Sequence, residues 1–145
     1  MIKIGNSASH ISTYTCQPKS KSELKDIIEE RISKEGPNCD LNDIDTSEIT
    51  DMSFLFERTD FNGDISKWNT SNVFNMIWMF AFSKFNGDIS NWNVGNVKDM
   101  YSMFVGSAFN GDISNWEINK DCNVNFMFDS CPIEEKFKPK SLQQS

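Results

Sequence analysis

Phe85-Asn86-Gly87-Asp88-Ile89-Ser90-Asn91-Trp92-Asn93-Val94-Gly95-Asn96-Val97-Lys98-Asp99-Met100-Tyr101-Ser102-Met103-Phe104 is the stretch that decides the fold. Its opening, Phe-Asn-Gly-Asp-Ile-Ser-x-Trp, begins at Phe61, Phe85 and Phe109, so it returns every 24 residues. Self-similarity at a fixed period of roughly 20 to 50 residues marks a stack of supersecondary units, each too small to bury its own apolar face. The apolar residues that recur are therefore assigned to the core, and function is sought in what does not recur.

Laid out at this period, the chain holds four units: 37–60, 61–84, 85–108 and 109–132. In the first, Leu41 stands for Ile65 and Ile44 for Trp68; in the last, Val124, Met127 and Phe128 stand for Met100, Met103 and Phe104. The first half of a unit, with Ile65 and Trp68 between Asn-Gly and Asn-Thr-Ser-Asn, predicts a very short strand bounded by turns. In the second half Val97, Met100, Met103 and Phe104 fall at i, i+3, i+6 and i+7, which predicts one face of a short helix capped by Asn96 and Asp99. The expected fold is thus α/β: a short, leucine-rich-repeat-like solenoid of about four strand-turn-helix coils.

The ends need covers. Ser20-x-x-Glu23 is a capping box, and Leu24, Ile27, Ile28 and Ile32 share one face until Gly36-Pro37, which predicts a capping helix over 22–35. Upstream, Ile11, Thr13 and Thr15 alternate with Ser12, Tyr14 and Cys16, as in a strand. The organisation expected is a leader strand and capping helix over 1–36, the four units over 37–132, and a C-terminal cap and tail over 133–145, all in one domain.

Asn62, Asn86 and Asn110 each precede Gly, and Asp40, Asp64, Asp88 and Asp112 recur in every unit. A calcium ladder is one reading, but one carboxylate per turn falls short of the six to eight oxygens calcium takes. Asn and Asp side chains satisfying turn N–H groups, with Gly admitting positive φ, is the reading favoured. Cys16, Cys39, Cys122 and Cys131 form no CxxC pair and His10 is the sole histidine, so no metal or cofactor is expected. Free thiols are expected, with a Cys122–Cys131 disulfide as the alternative.

A net charge of −7 disfavours direct nucleic-acid binding, which needs a basic surface. No apolar run approaches the roughly 18 residues of a membrane span, and the start, Met1-Ile2-Lys3-Ile4-Gly5-Asn6-Ser7, turns polar too early for a signal peptide. As written, the chain is expected to stay in the cytoplasm, or at the surface if a signal was removed.

The phrase from 85 to 104, with the lead-in Cys16-Gln17-Pro18-Lys19-Ser20-Lys21-Ser22-Glu23-Leu24 and the later Asp40-Leu41-Asn42-Asp43-Ile44-Asp45, resembles the BspA-type repeats of bacterial surface proteins, a divergent branch of leucine-rich repeats. The resemblance covers roughly 14 to 132. It implies a recognition module, commonly adhesin-like, with no catalytic residues; a small free-standing copy would suit an inhibitor or adaptor.

Apolar residues where the repeat does not require them point to a surface. On the expected helix Phe74, Trp78 and Phe82 lie at i, i+4 and i+8, opposite the core set Val73, Met76, Met79 and Phe80. With Phe54, Ile77 and Tyr101 at the margin they make an exposed patch for another protein or a second copy, unless the leader or tail folds over it. The polar strand face, with Lys67, Asn91 and Asn115, is a second candidate for a glycan or peptide. An acidic DNA mimic is a third, weakened by 14 interspersed Lys and Arg. No catalytic constellation is apparent: His10 beside Cys16 in the leader is the nearest approach to a nucleophile and base, so the chain is read as a binder and not an enzyme.

Overall fold

A computed structural model describes residues 13–144. His10 and the first two residues of the expected leader strand, Ile11 and Ser12, lie outside the described residues. Of that strand, Thr15 N–H donates to the Asp43 carbonyl at 2.8 Å and Cys16 forms a parallel bridge with Ile44.

The expected strand-turn-helix coils are not what forms. Among the described residues there is one α-helix, α1 (Lys21–Glu35), two single-turn 3₁₀ segments at Glu135–Phe137 and Lys140–Leu142, and no sheet. Neighbouring units touch through isolated parallel bridges, Asp40 to Asp64 and then Asp51 to Asn75 to Asp99 to Asn123. The segments read as helices, 53–58, 77–82, 101–106 and 125–130, are runs of turns.

The reason lies in the backbone. Phe54 and Arg58, Trp78 and Phe82, Ser102 and Gly106, and Phe126 and Ser130 all have φ between 51° and 64°, which no right-handed helix accommodates. Each unit turns every few residues, with Leu55, Met79, Met103 and Met127 N–H donating to the carbonyl three residues back. The intervening N–H groups reach across to the next unit. Met76, Trp78, Phe80 and Phe82 donate to Asp99, Tyr101, Met103 and Val105, and the same step of 23 residues joins Met52 to Asn75 and Met100 to Asn123. Turn residues thus pair between units where a helix would pair within one.

This register stacks like on like. Trp68, Trp92 and Trp116 form a buried column with centroids 6.5 and 6.4 Å apart, and Phe56, Phe80 and Phe104, buried, with the partly buried Phe128 form a second at 5.6, 5.5 and 5.8 Å. Phe61, Phe85 and Phe109 make a third. Each indole N–H reaches back one unit, to the carbonyls of Leu41, Ile65 and Ile89 at 3.0, 3.1 and 2.9 Å, so the buried tryptophans carry no orphaned donor.

The Asn and Asp ladder does structural work. Asn62 Oδ1 accepts from Asn86 N–H, Asn86 from Asn110 and Asn110 from Glu134. Asp64 and Asp88 each accept from the N–H and hydroxyl of a following serine, Ser66 and Ser90. The Asn-Gly glycines correct one expectation, because their φ values are not positive. They are needed for space: a Cβ on Gly87 or Gly111 would sit 2.8 Å from the ring of Phe85 or Phe109.

Helix α1 starts where the capping box predicts, Ser20 Oγ accepting from Glu23 N–H at 3.2 Å, and ends at Gly36, φ 93°, whose N–H returns to Ile32. Leu24 and Ile28 bury in the core of the first unit, with Ile27 and Ile32 packed at its margin. Arg31 ties the helix down, donating to both carboxylate oxygens of Asp43 at 3.1 and 2.9 Å and to the Asp40 carbonyl at 3.0 Å.

Two outcomes test this architecture. Trp92→Ala should destabilise the chain by about 3–5 kcal/mol, and Trp92→Phe by about 1 kcal/mol, since the Ile65 carbonyl loses the indole N–H but keeps that of Trp68, both read from denaturant titrations. The second concerns pH. Desolvation works against ionised Asp43, but hydrogen bonds from Thr15 and Arg31 outweigh it and hold the group below the ordinary carboxylate value; Asn42 and Ser66 do the same for Asp64, and Ser90 for Asp88. Folded values below unfolded ones stabilise above the unfolded pKa of about 3.9 and lose that stability as pH falls through the folded values. Stability should therefore fall steeply below about pH 4, and Asp43→Asn should be less stable at pH 7 with a shallower acid slope.

Candidate functional site

Left-handed turn positions carry three of the exposed aromatics, Phe54, Phe82 and Phe126, and the half-buried Trp78. Phe54 and Trp78 hold equivalent places in the first and second units, their ring centroids 5.9 Å apart, and Phe82 meets Trp78 edge-on at 5.7 Å. Tyr101 and Phe126 continue the face, edge-on at 5.8 Å. Cations close the rim: Lys21 Nζ lies 5.7 Å from the Phe54 centroid, and the Arg58 guanidinium 4.5 Å from that of Phe82.

These rings are open to solvent to different degrees. Phe126 is 58% exposed, Phe54 43%, Phe82 41% and Tyr101 37%, whereas Trp78, wedged between Phe54 and Phe82, is half-buried. Ile77 is also half-buried, and its carbonyl accepts from Phe54 N–H. Phe82 leans on the next unit, where a Cβ on Gly106 would run into its ring atoms Cδ1 and Cε1. Gly106 serves two needs there, a φ of 64° and room for that ring.

The structure gathers Phe54, Trp78 and Phe82 and puts Tyr101 beside them through the Trp78 N–H to Tyr101 carbonyl bond of 3.1 Å. It does not gather Phe74. That residue is 49% exposed but sits before the Asn75 bridge, pairing with Thr50 and Lys98 through its backbone, and makes no ring contact among the described residues. Equal spacing of 74, 78 and 82 puts three rings on one stripe only in a helix, and this segment is not one. Phe126 is the member the sequence reading left out of the site, although its repeat position, that of Phe54 and Trp78, was signal enough.

The polar face offers less purchase. Along Asn86-Gly87-Asp88 and Asn110-Gly111-Asp112 the depression is shallow, and Asn86 Oδ1, Asp88 Oδ1 and Asp112 Oδ1 already accept from Asn110, Ser90 and Ser114 N–H groups. All four cysteines are free thiols. Burial pushes the Cys122 thiol up to about 11 and raises Cys131 and Cys39, so these three stay protonated at neutral pH. Among the described residues no three His, Cys, Asp or Glu stand together to hold a metal ion, and no helix is long and apolar enough to cross a membrane.

A family model described as "Mycoplasma protein of unknown function, DUF285" matches residues 24–141, and the chain belongs to that family. Comparison with curated proteins and with solved structures gave no match.

Packing of Phe82 on Gly106 can be measured by a double-mutant cycle. Gly106→Ala should lower the melting temperature, and should cost less in a Phe82→Ala background, where the ring no longer meets the new methyl. Equal costs in both backgrounds would leave only the backbone strain of the left-handed position.

Proposed function

We propose that this member of the family is a non-catalytic recognition module that binds a partner protein through the aromatic face Phe54, Trp78, Phe82, Tyr101 and Phe126. One observation carries the reading: Phe54, Trp78, Phe82 and Phe126 occupy left-handed positions that the repeat elsewhere fills with Arg58, Ser102, Gly106 and Ser130, and all of these rings but the half-buried Trp78 are exposed. The fold does not need aromatics there, and a φ near 55° is locally unfavourable for Phe and Trp. Two groups of touching rings, Phe54–Trp78–Phe82 flanked by cations and Tyr101–Phe126, match the make-up of interface anchors, which bury large area at low entropy cost. The recognition role implied by the resemblance to BspA-type repeats agrees with this, and three thiols held protonated by burial are poor nucleophiles. With a net charge of −7, a basic or neutral partner surface fits best.

The test pairs capture with stability. The full chain, immobilised, should retain a protein from extracts of its source cells, and Trp78→Ser or Phe126→Ser should weaken that binding by about 2 kcal/mol at a hot spot. Each variant should melt within a few degrees of wild type. A variant that loses its fold but binds equally per folded molecule would assign the face to the core and end the proposal.

A further inference from the structure

Each unit hands the same backbone groups to its successor. The N–H groups of Met100, Ser102, Phe104 and Gly106 point to the carbonyls of Asn123, Asn125, Met127 and Asp129, as their counterparts do in the two units before. The stack is therefore polar: a row of four N–H groups faces its C-terminal end and a row of four carbonyls its N-terminal end. In the last unit the counterparts are Val124, Phe126, Phe128 and Ser130, whose N–H groups meet no acceptor among the described residues. In the first unit the carbonyls of Asp51, Ser53, Leu55 and Glu57 meet no donor among the described residues.

The two rows are covered differently. Helix α1 lies over the carbonyl row, with Leu24 and Ile28 buried and Lys21 bonded to Ser53 Oγ at 2.9 Å and paired with Asp51 at 3.8 Å. Ser53 is 4% exposed and Leu55 1%, so their carbonyls are buried without a donor, a state that costs stability. The helix hides the apolar end without satisfying its polar groups. At the other end the tail pairs with the Asn-Gly half of the last unit, through Ile113 to Phe137 and Glu134 to Asn110, sets Lys138 Nζ 5.4 Å from the Phe128 ring, brings Leu142 near Val124, and leaves Phe126 and Ser130 exposed.

We infer that the N–H row Val124, Phe126, Phe128 and Ser130 is a docking edge for a second copy of this chain, whose Asp51, Ser53, Leu55 and Glu57 carbonyls fill it once α1 moves aside, so that α1 gates head-to-tail assembly. Register selects this occupant: the step of 23 residues from Met100 to Asn123 carries Val124 onto the repeat position of Asp51. Polarity selects the arrangement, since an N–H row cannot pair with another, and the contact is head-to-tail and open-ended. The aromatic column fits as well, because Phe126 would meet the incoming Phe54 as Phe54 meets Trp78 within the chain.

Sedimentation velocity of the full chain over a concentration series tests this. Leu24→Asp places a charge beneath α1, and Lys21→Ala removes the polar pins over Ser53 and Asp51 together with the cation beside Phe54. Both should self-associate about tenfold more tightly than wild type, equivalent to about 1.4 kcal/mol. Adding Val124→Pro with Phe126→Asp should return either variant to monomer, since the proline deletes an unpaired N–H and the bridging Asn123 before it is extended enough to accept one. Melts accompany every variant, and if Leu24→Asp does not fold, Lys21→Ala decides alone. Folded Lys21→Ala no tighter than wild type, or oligomers indifferent to the blocked edge, would overturn the inference. Trp78→Ser should leave assembly unchanged, which separates this edge from Trp78 and Phe82 of the partner-binding face, Phe126 belonging to both.

Discussion

The hydrogen bonds that step 23 residues from one unit to the next are what the rest of the structure depends on. No unit has an element that could stand alone: a few residues of bridge and a run of tight turns cannot offset the chain entropy of ordering them. Once four N–H groups of each unit are committed to the next, identical side chains fall above one another. Trp68, Trp92 and Trp116 then stack nearly parallel, with ring planes within 9°, and their indoles complete the Ile65 and Ile89 carbonyls behind them. The Asn ladder repeats the same logic at the surface, each side chain replacing a backbone acceptor that the local path does not supply.

Such a stack has two ends of unlike character, and the chain treats them unlike. At the first unit the apolar surface of Leu55 and Phe56 is the larger liability, and α1 brings Leu24 and Ile28 to it. Arg31, held by Glu35 and Asp43, fixes the helix against the turn of 40–43, while Lys21 fixes its other end. At the last unit Ile133 takes the place of the phenylalanine in the Phe61 column, so the core closes with a smaller residue where the repeat motif fades.

Much of this was legible in the residues. The period, the tryptophan and phenylalanine columns, the capping box and the structural role of the Asn and Asp side chains follow from spacing and elementary turn chemistry. The helices did not follow, because apolar residues three apart suit both a helix face and successive turns that aim inward. Val97, Met100 and Met103 keep a strict spacing of three, where a helix of 3.6 residues per turn would drift to four. Asn75, Asp99 and Asn123, each accepting from the N–H two residues on, head the turns that follow. That combination, together with Gly106, was the signal for turns. The same misreading put Phe74 on the stripe and left Phe126 off it.

Backbone strain ties the fold to the proposed face. Among the described residues seven other than glycine have positive φ, at about 1–2 kcal/mol each for an ordinary side chain, and four of them are Phe54, Trp78, Phe82 and Phe126. The cross-unit hydrogen bonds hold these positions left-handed whatever the side chain, as Gly106 and Ser102 show. A ring placed there cannot choose its backbone; its direction is set by the stack, and its freedom is cut further by the rings and cations beside it. Ordering such a ring on binding therefore costs less entropy than ordering one on a loop. The constraint that forbids a helix is thus also what makes the aromatic face a pre-organised one.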